Sequence, residues 1–155
     1  MKLFTRVLSL ALIAVLLCLS LVACAKRFED GEYVLGDAVL NGVYDGYVFE
    51  GKTFTYRCYI QYQDQQQAET TFSGEYELEI IEQEDEEDQL EDEENGIMRG
   101  NIIFTFADAS GATVTRTFAF VYDEIEGKLE IHGHLSSEED LGPLYYEFND
   151  LGEEE

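Results

Sequence analysis

Two histidines, His132 and His134, stand two residues apart in Ile131-His132-Gly133-His134-Leu135. On a β-strand that spacing projects both imidazoles to one face beside Glu130, where a pair of imidazoles can share a transition metal. The competing arrangement gives Leu129, Ile131 and Leu135 the core face and leaves both histidines in water. No further ligands are visible in the sequence, so no metal or other cofactor is expected. A second candidate is the run from Glu82 to Asn95, ten carboxylates in fourteen residues with Leu90 as the single apolar side chain. Carboxylates suit hard cations, but the spaced aspartates, central glycine and distal glutamate of a calcium loop are missing. Like charges at this density repel and resist packing, so 82–95 is expected to be a long, mobile, solvated loop. Cys58 alternates with Phe54, Tyr56, Ile60 and Tyr62 and reads as a small core residue rather than a reactive thiol. No Ser, Cys or His sits in a recognisable nucleophile motif, and surface carboxylates alone do not define an acid/base pair. Catalysis is therefore not expected.

The chain has 155 residues and a formal charge of −25. All 34 acidic residues follow position 24, whereas Lys2 and Arg6 precede it, so residues after 24 carry seven bases against 34 acids, a net of −27. That field repels phosphate and argues against nucleic acid as a partner. Ten Tyr and ten Phe are far more aromatic surface than acidic disordered chains carry, which predicts one folded domain.

The elements that must position these residues begin with an address. Met1–Arg6 is short and basic, and 7–23 is apolar, the layout of an export signal. Its length lies between a signal core and a bilayer span, so the residues that end it decide. Leu21-Val22-Ala23-Cys24 resembles the lipobox of bacterial lipoproteins at all four positions. The resemblance implies cleavage after Ala23 and diacylglyceryl attachment to the Cys24 thiol, with 1–23 lost as a signal peptide. Cys18 does not compete, because Leu17 stands where a small residue is needed. Two acyl chains, such as palmitate, anchor stably where one is marginal. Residues 24–30 are then a lipidated tether, in which Lys26 and Arg27 either lie among lipid phosphates or are simply solvated. The expected location is the outer side of a cell membrane or an outer membrane.

From Gly31 onward short alternating runs rich in Tyr, Phe, Val, Ile and Thr predict strands at 31–40, 44–49, 52–63, 70–82, 97–107, 112–122, 128–135 and 143–149. No segment has a 3.6-residue stripe long enough for a major helix. Short glycine turns at 50–52, 109–111 and 126–128 make sequence neighbours antiparallel neighbours. The fold class is all-β, an up-and-down meander of about eight strands over 31–150 followed by an acidic tail at 151–155. Eight strands suffice to close a barrel; a β-sandwich is the alternative. Alternation puts Phe72, Tyr76, Leu78 and Ile80 on one face and Glu75, Glu77 and Glu79 on the other.

The segments Gly31-Glu32-Tyr33, Phe49-Glu50-Gly51-Lys52-Thr53-Phe54 and Gly74-Glu75-Tyr76-Glu77-Leu78 resemble the strand and hairpin motifs of small lipocalin-like bacterial lipoproteins, with Tyr33 where true lipocalins have Trp. The resemblance brings no catalytic residue. The expected function is a non-enzymatic binding module of the cell envelope. In one version Tyr56, Tyr62, Phe72, Tyr76, Phe104, Phe106, Phe118 and Phe120 line a cavity for a small apolar ligand. In the alternative the acidic exterior engages a basic envelope protein.

Overall fold

The computed structural model describes residues 26–36, 42–62, 65–137 and 142–149, excepting the side chains of 61, 62 and 65–68. Eight strands follow in chain order: β1 (Gly31–Leu35), β2 (Val43–Glu50), β3 (Thr53–Tyr62), β4 (Gln65–Ile80), β5 (Ile97–Ala107), β6 (Thr113–Asp123), β7 (Lys128–His132) and β8 (Pro143–Asn149). Each is antiparallel to the next, and β8 closes on β1 through Glu32↔Asn149 to Leu35↔Tyr146, giving a closed eight-stranded barrel. Closure rather than a sandwich leaves no unpaired sheet edge.

The period-two pattern is what makes this inside and outside. Tyr76 is buried and Phe72, Leu78 and Ile80 pack against the core, while Glu75, Glu77 and Glu79 are exposed. Closing so few strands demands strong coiling, and Gly74 permits it: a Cβ there would lie 2.0 Å from the Thr105 carbonyl oxygen on β5. One expected core position fails. Ile60 is 53% exposed, because it pairs with the first residue of β2, Val43, at the barrel rim, where the β3–β4 register also shifts. Cys58, one step inward, is only partly buried.

Two segments expected to lack structure have it. Residues 86–94 of the acidic run form a helix, α1 (Glu86–Glu94), rather than a mobile loop. Asp85 caps it by accepting from the Glu87 N–H at 2.9 Å, and Glu86, Glu87 and Asp88 sit at the positive end of its dipole. Arg99 on β5 grips Asp92 through two hydrogen bonds of 2.8 and 3.2 Å, which offsets part of the local repulsion. No α1 residue is buried, so capping and this clamp, not a core face, hold it. Residues 26–30, expected as a tether, form a strap across the adjacent barrel end. Phe28 is 1% exposed and enters the core between Phe49, Tyr76, Phe120 and Tyr122, its ring lying nearly parallel to that of Tyr76 at 5.6 Å. Asp30 adds a bond from the Gly51 N–H, and the Tyr33 hydroxyl donates to the Glu29 carbonyl.

Candidate functional site

The strands place most of the chemistry inside. Tyr33, Tyr47, Phe49, Tyr56, Phe104 and Tyr146 each have no measurable exposure, and their rings meet one another within the barrel. Phe104 lies 4.6 Å from Phe54 and 5.4 Å from Tyr47, spacings of direct ring contact. Of the residues expected to line a ligand cavity, Tyr56, Tyr76, Phe104, Phe106 and Phe120 are buried members of this packing. Phe72 and Phe118 are half-buried against it, Phe72 at 4.8 Å from Phe106 and Phe118 at 6.2 Å from Phe104. The side chain of Tyr62 lies outside the described ones, as do Ala23 and Cys24.

At the end opposite the strap the interior turns polar. β7 stops at His132, and Gly133, at φ 139°, redirects the chain so that His134 points inward instead of sharing a face with His132. A side chain at 133 would also strike the Phe118 ring, since its Cβ would fall 2.3 Å from a ring carbon. His132 is exposed and meets Glu130 at 2.7 Å while His134 is buried, so the two imidazoles share no face and the arrangement with both in water holds for His132 alone. No cluster of three or more His, Cys, Asp or Glu suited to a metal exists among the described residues.

His134 instead meets an acid that alternation hid. Asp45 on β2 is 4% exposed, and its Oδ2 lies 2.6 Å from His134 Nε2. The Tyr56 hydroxyl donates to the same oxygen at 3.1 Å, and Tyr146 donates to Oδ1 at 3.3 Å. On the other side of the ring, Ser136 brings its Oγ to 2.7 Å and its N–H to 3.3 Å from Nδ1. Nδ1 therefore accepts, and Nε2 carries the hydrogen directed at Asp45, a tautomer assigned from the network. Burial, reinforced by the Asp45 charge, raises the hydroxyl pKa values of Tyr47 and Tyr56 well above the usual tyrosine value. Burial together with the neighbouring Tyr47 does the same for Tyr146. The order hydroxyl, imidazole, carboxylate is that of an acyl-transfer relay. Its carboxylate also holds two tyrosine hydroxyls, which brace it within the core. The cluster works as a latch that ties the turn after β7 into the core.

The exterior is dominated by acid. Arg57 is held by Glu69 at 2.7 Å, Arg99 by Asp92 and Lys128 by Glu126, so these cations are spent on near neighbours. Hydrogen bonding from Arg99 lowers the Asp92 pKa, and the reciprocal bond raises that of Arg99. One cleft lies beside α1, where Asp88, Glu91, Asp92, Asp123 and Glu126 outnumber Arg99. A second lies between the strap and the end of α1. No described helix is long and apolar enough to cross a membrane. Comparison of the chain with protein-family models, with curated proteins and with solved structures finds no match.

Proposed function

We propose that the protein is a lipid-anchored module of the outer face of a bacterial membrane that acts by binding rather than catalysis, and that its working surface is the acidic exterior, engaging a basic envelope partner. The observation that carries this reading is the interior: aromatic rings from seven of the eight strands, with Phe28 among them, pack against one another in a single core. Arg57, Arg99 and Lys128 are already paired with neighbouring carboxylates, which leaves the excess acid to an external partner. Anchorage rests on Leu21-Val22-Ala23-Cys24. A small apolar ligand between the rings is the competing version.

Native mass spectrometry of the purified chain separates the two, since retention of an apolar molecule would favour the carrier version. For the surface version, bound envelope proteins are expected to be basic and to be released as ionic strength rises. Release that ignores salt sinks it. Cys24→Ala is expected to abolish acyl labelling, and unchanged labelling would remove the anchor.

A further inference from the structure

The strap and the C-terminal turn of α1 enclose a cleft of about 690 Å³. Its rim carries both signs of charge. Lys26 and Arg27 stand on the strap with Glu29, and Glu93 and Glu124 stand on α1 and the turn after β6, all five exposed, so acid outnumbers base at the rim. Ile97 and Met98, half-buried, supply an apolar floor. Among the described residues no ion pair joins Lys26 or Arg27 to Glu93 or Glu124; Arg27 has only Asp30, at 4.0 Å. The strap and the turn after β6 are nonetheless fixed. Phe28 locks the strap into the core, and the Glu124 N–H donates to the Gly96 carbonyl at 3.0 Å.

We infer that this cleft holds the headgroup of a zwitterionic phospholipid. The phosphate meets Lys26 and Arg27, the ammonium meets Glu93 and Glu124, and the first acyl carbons lie on Ile97 and Met98. A solely anionic headgroup leaves both glutamates unmatched and enters a strongly negative field; a solely cationic one leaves the lysine and arginine unmatched. The volume lies in the usual range for small-molecule sites. The location adds a reason that rests on the anchor proposed above. Three residues lie between Cys24 and the locked Phe28, four steps of chain with a reach of at most about 14 Å, so a lipid on Cys24 holds this barrel end at the headgroup layer.

The test uses the full chain in a non-ionic detergent, with phosphatidylethanolamine or phosphatidylglycerol added, read by native mass spectrometry. Retention of phosphatidylethanolamine is expected to exceed that of phosphatidylglycerol by roughly tenfold, about 1.4 kcal/mol. Glu93→Gln with Glu124→Gln should erase the preference, and Lys26→Gln with Arg27→Gln should weaken retention of both lipids. Equal retention of the two lipids, a preference for phosphatidylglycerol, or indifference to both double variants overturns the assignment. So does equal retention of free phosphoethanolamine, which would make the ligand a soluble zwitterion. The same spectra give the mass of the Cys24 adduct, so loss of the anchor reading is seen separately from loss of the lipid preference.

Discussion

Asp45 is the residue on which the distal end of the barrel depends. Its carboxylate accepts from His134, Tyr56 and Tyr146; truncating it leaves the Tyr146 hydroxyl without this acceptor and leaves His134 Nε2 and the Tyr56 hydroxyl, 2.8 Å apart, with only each other. Asp45→Ala is expected to destabilise the fold by about 3 kcal/mol in denaturant titrations, the range seen when one partner of a buried charged network is removed. Tyr47→Phe should behave in the opposite way. The Tyr47 hydroxyl is buried with no hydrogen-bond partner in good geometry among the described residues, so its removal is expected to be neutral or to stabilise by up to about 1 kcal/mol. A loss of more than that would mean the hydroxyl has a partner. The sequence contained a signal for Asp45, since it falls in phase with Tyr47 and Phe49 on the inward side of β2. An acid in step with an aromatic row needs a buried partner, but nothing in one-dimensional spacing says that the partner lies 89 positions away at His134. Gly133 was the other signal, because a glycine between two histidines is where a strand can end and the second imidazole can turn in.

At the scale of elements, strand identity was legible because alternation reports a two-sided sheet directly, and seven of the eight strands begin within two residues of where the pattern puts them. The helix and the strap were not. Repulsion across 82–95 argues against order, and it is outweighed by features a composition reading does not weigh: a capping aspartate and one arginine on the neighbouring strand. That balance makes α1 the least secure element. Arg99→Gln is expected to remove most of the helical far-ultraviolet signal while the thermal transition of the barrel stays nearly in place. Asp92 gives the pH dependence a sign. Its pKa is lowered in the fold, so its contribution is present above the ordinary carboxylate pKa of about 4 and is lost as pH falls through the lowered value. The strap escaped for another reason, since Phe28 is one apolar residue among charged ones and has no period to reveal it. Phe28→Ala should cost about 3–5 kcal/mol in denaturant titrations, as for a buried phenyl ring, whereas a solvated tether residue would cost almost nothing.

For the whole molecule, one core rich in tyrosine sets the alkaline limit. Burial raises the pKa of Tyr33, Tyr56 and Tyr146 far above the ordinary value, and that of Tyr76 to about 12. Unfolded tyrosines ionise near pH 10, so stability should be unaffected below that point and fall as pH rises beyond it. Tyrosinate absorbance should therefore appear together with loss of the fold, and smooth titration of these groups in an intact barrel would contradict their burial. The antiparallel closure has a consequence for how the chain can be rebuilt. Because β1 and β8 are neighbours running in opposite directions, Glu32 faces Asn149 across one rim. A linker from 149 to 26, which keeps Phe28 in the core, with new ends opened in the 108–112 turn, should yield a circular permutant with the same barrel. A domain fused after β8 would emerge beside the strap, whereas one inserted at 108–112 would be carried at the far rim.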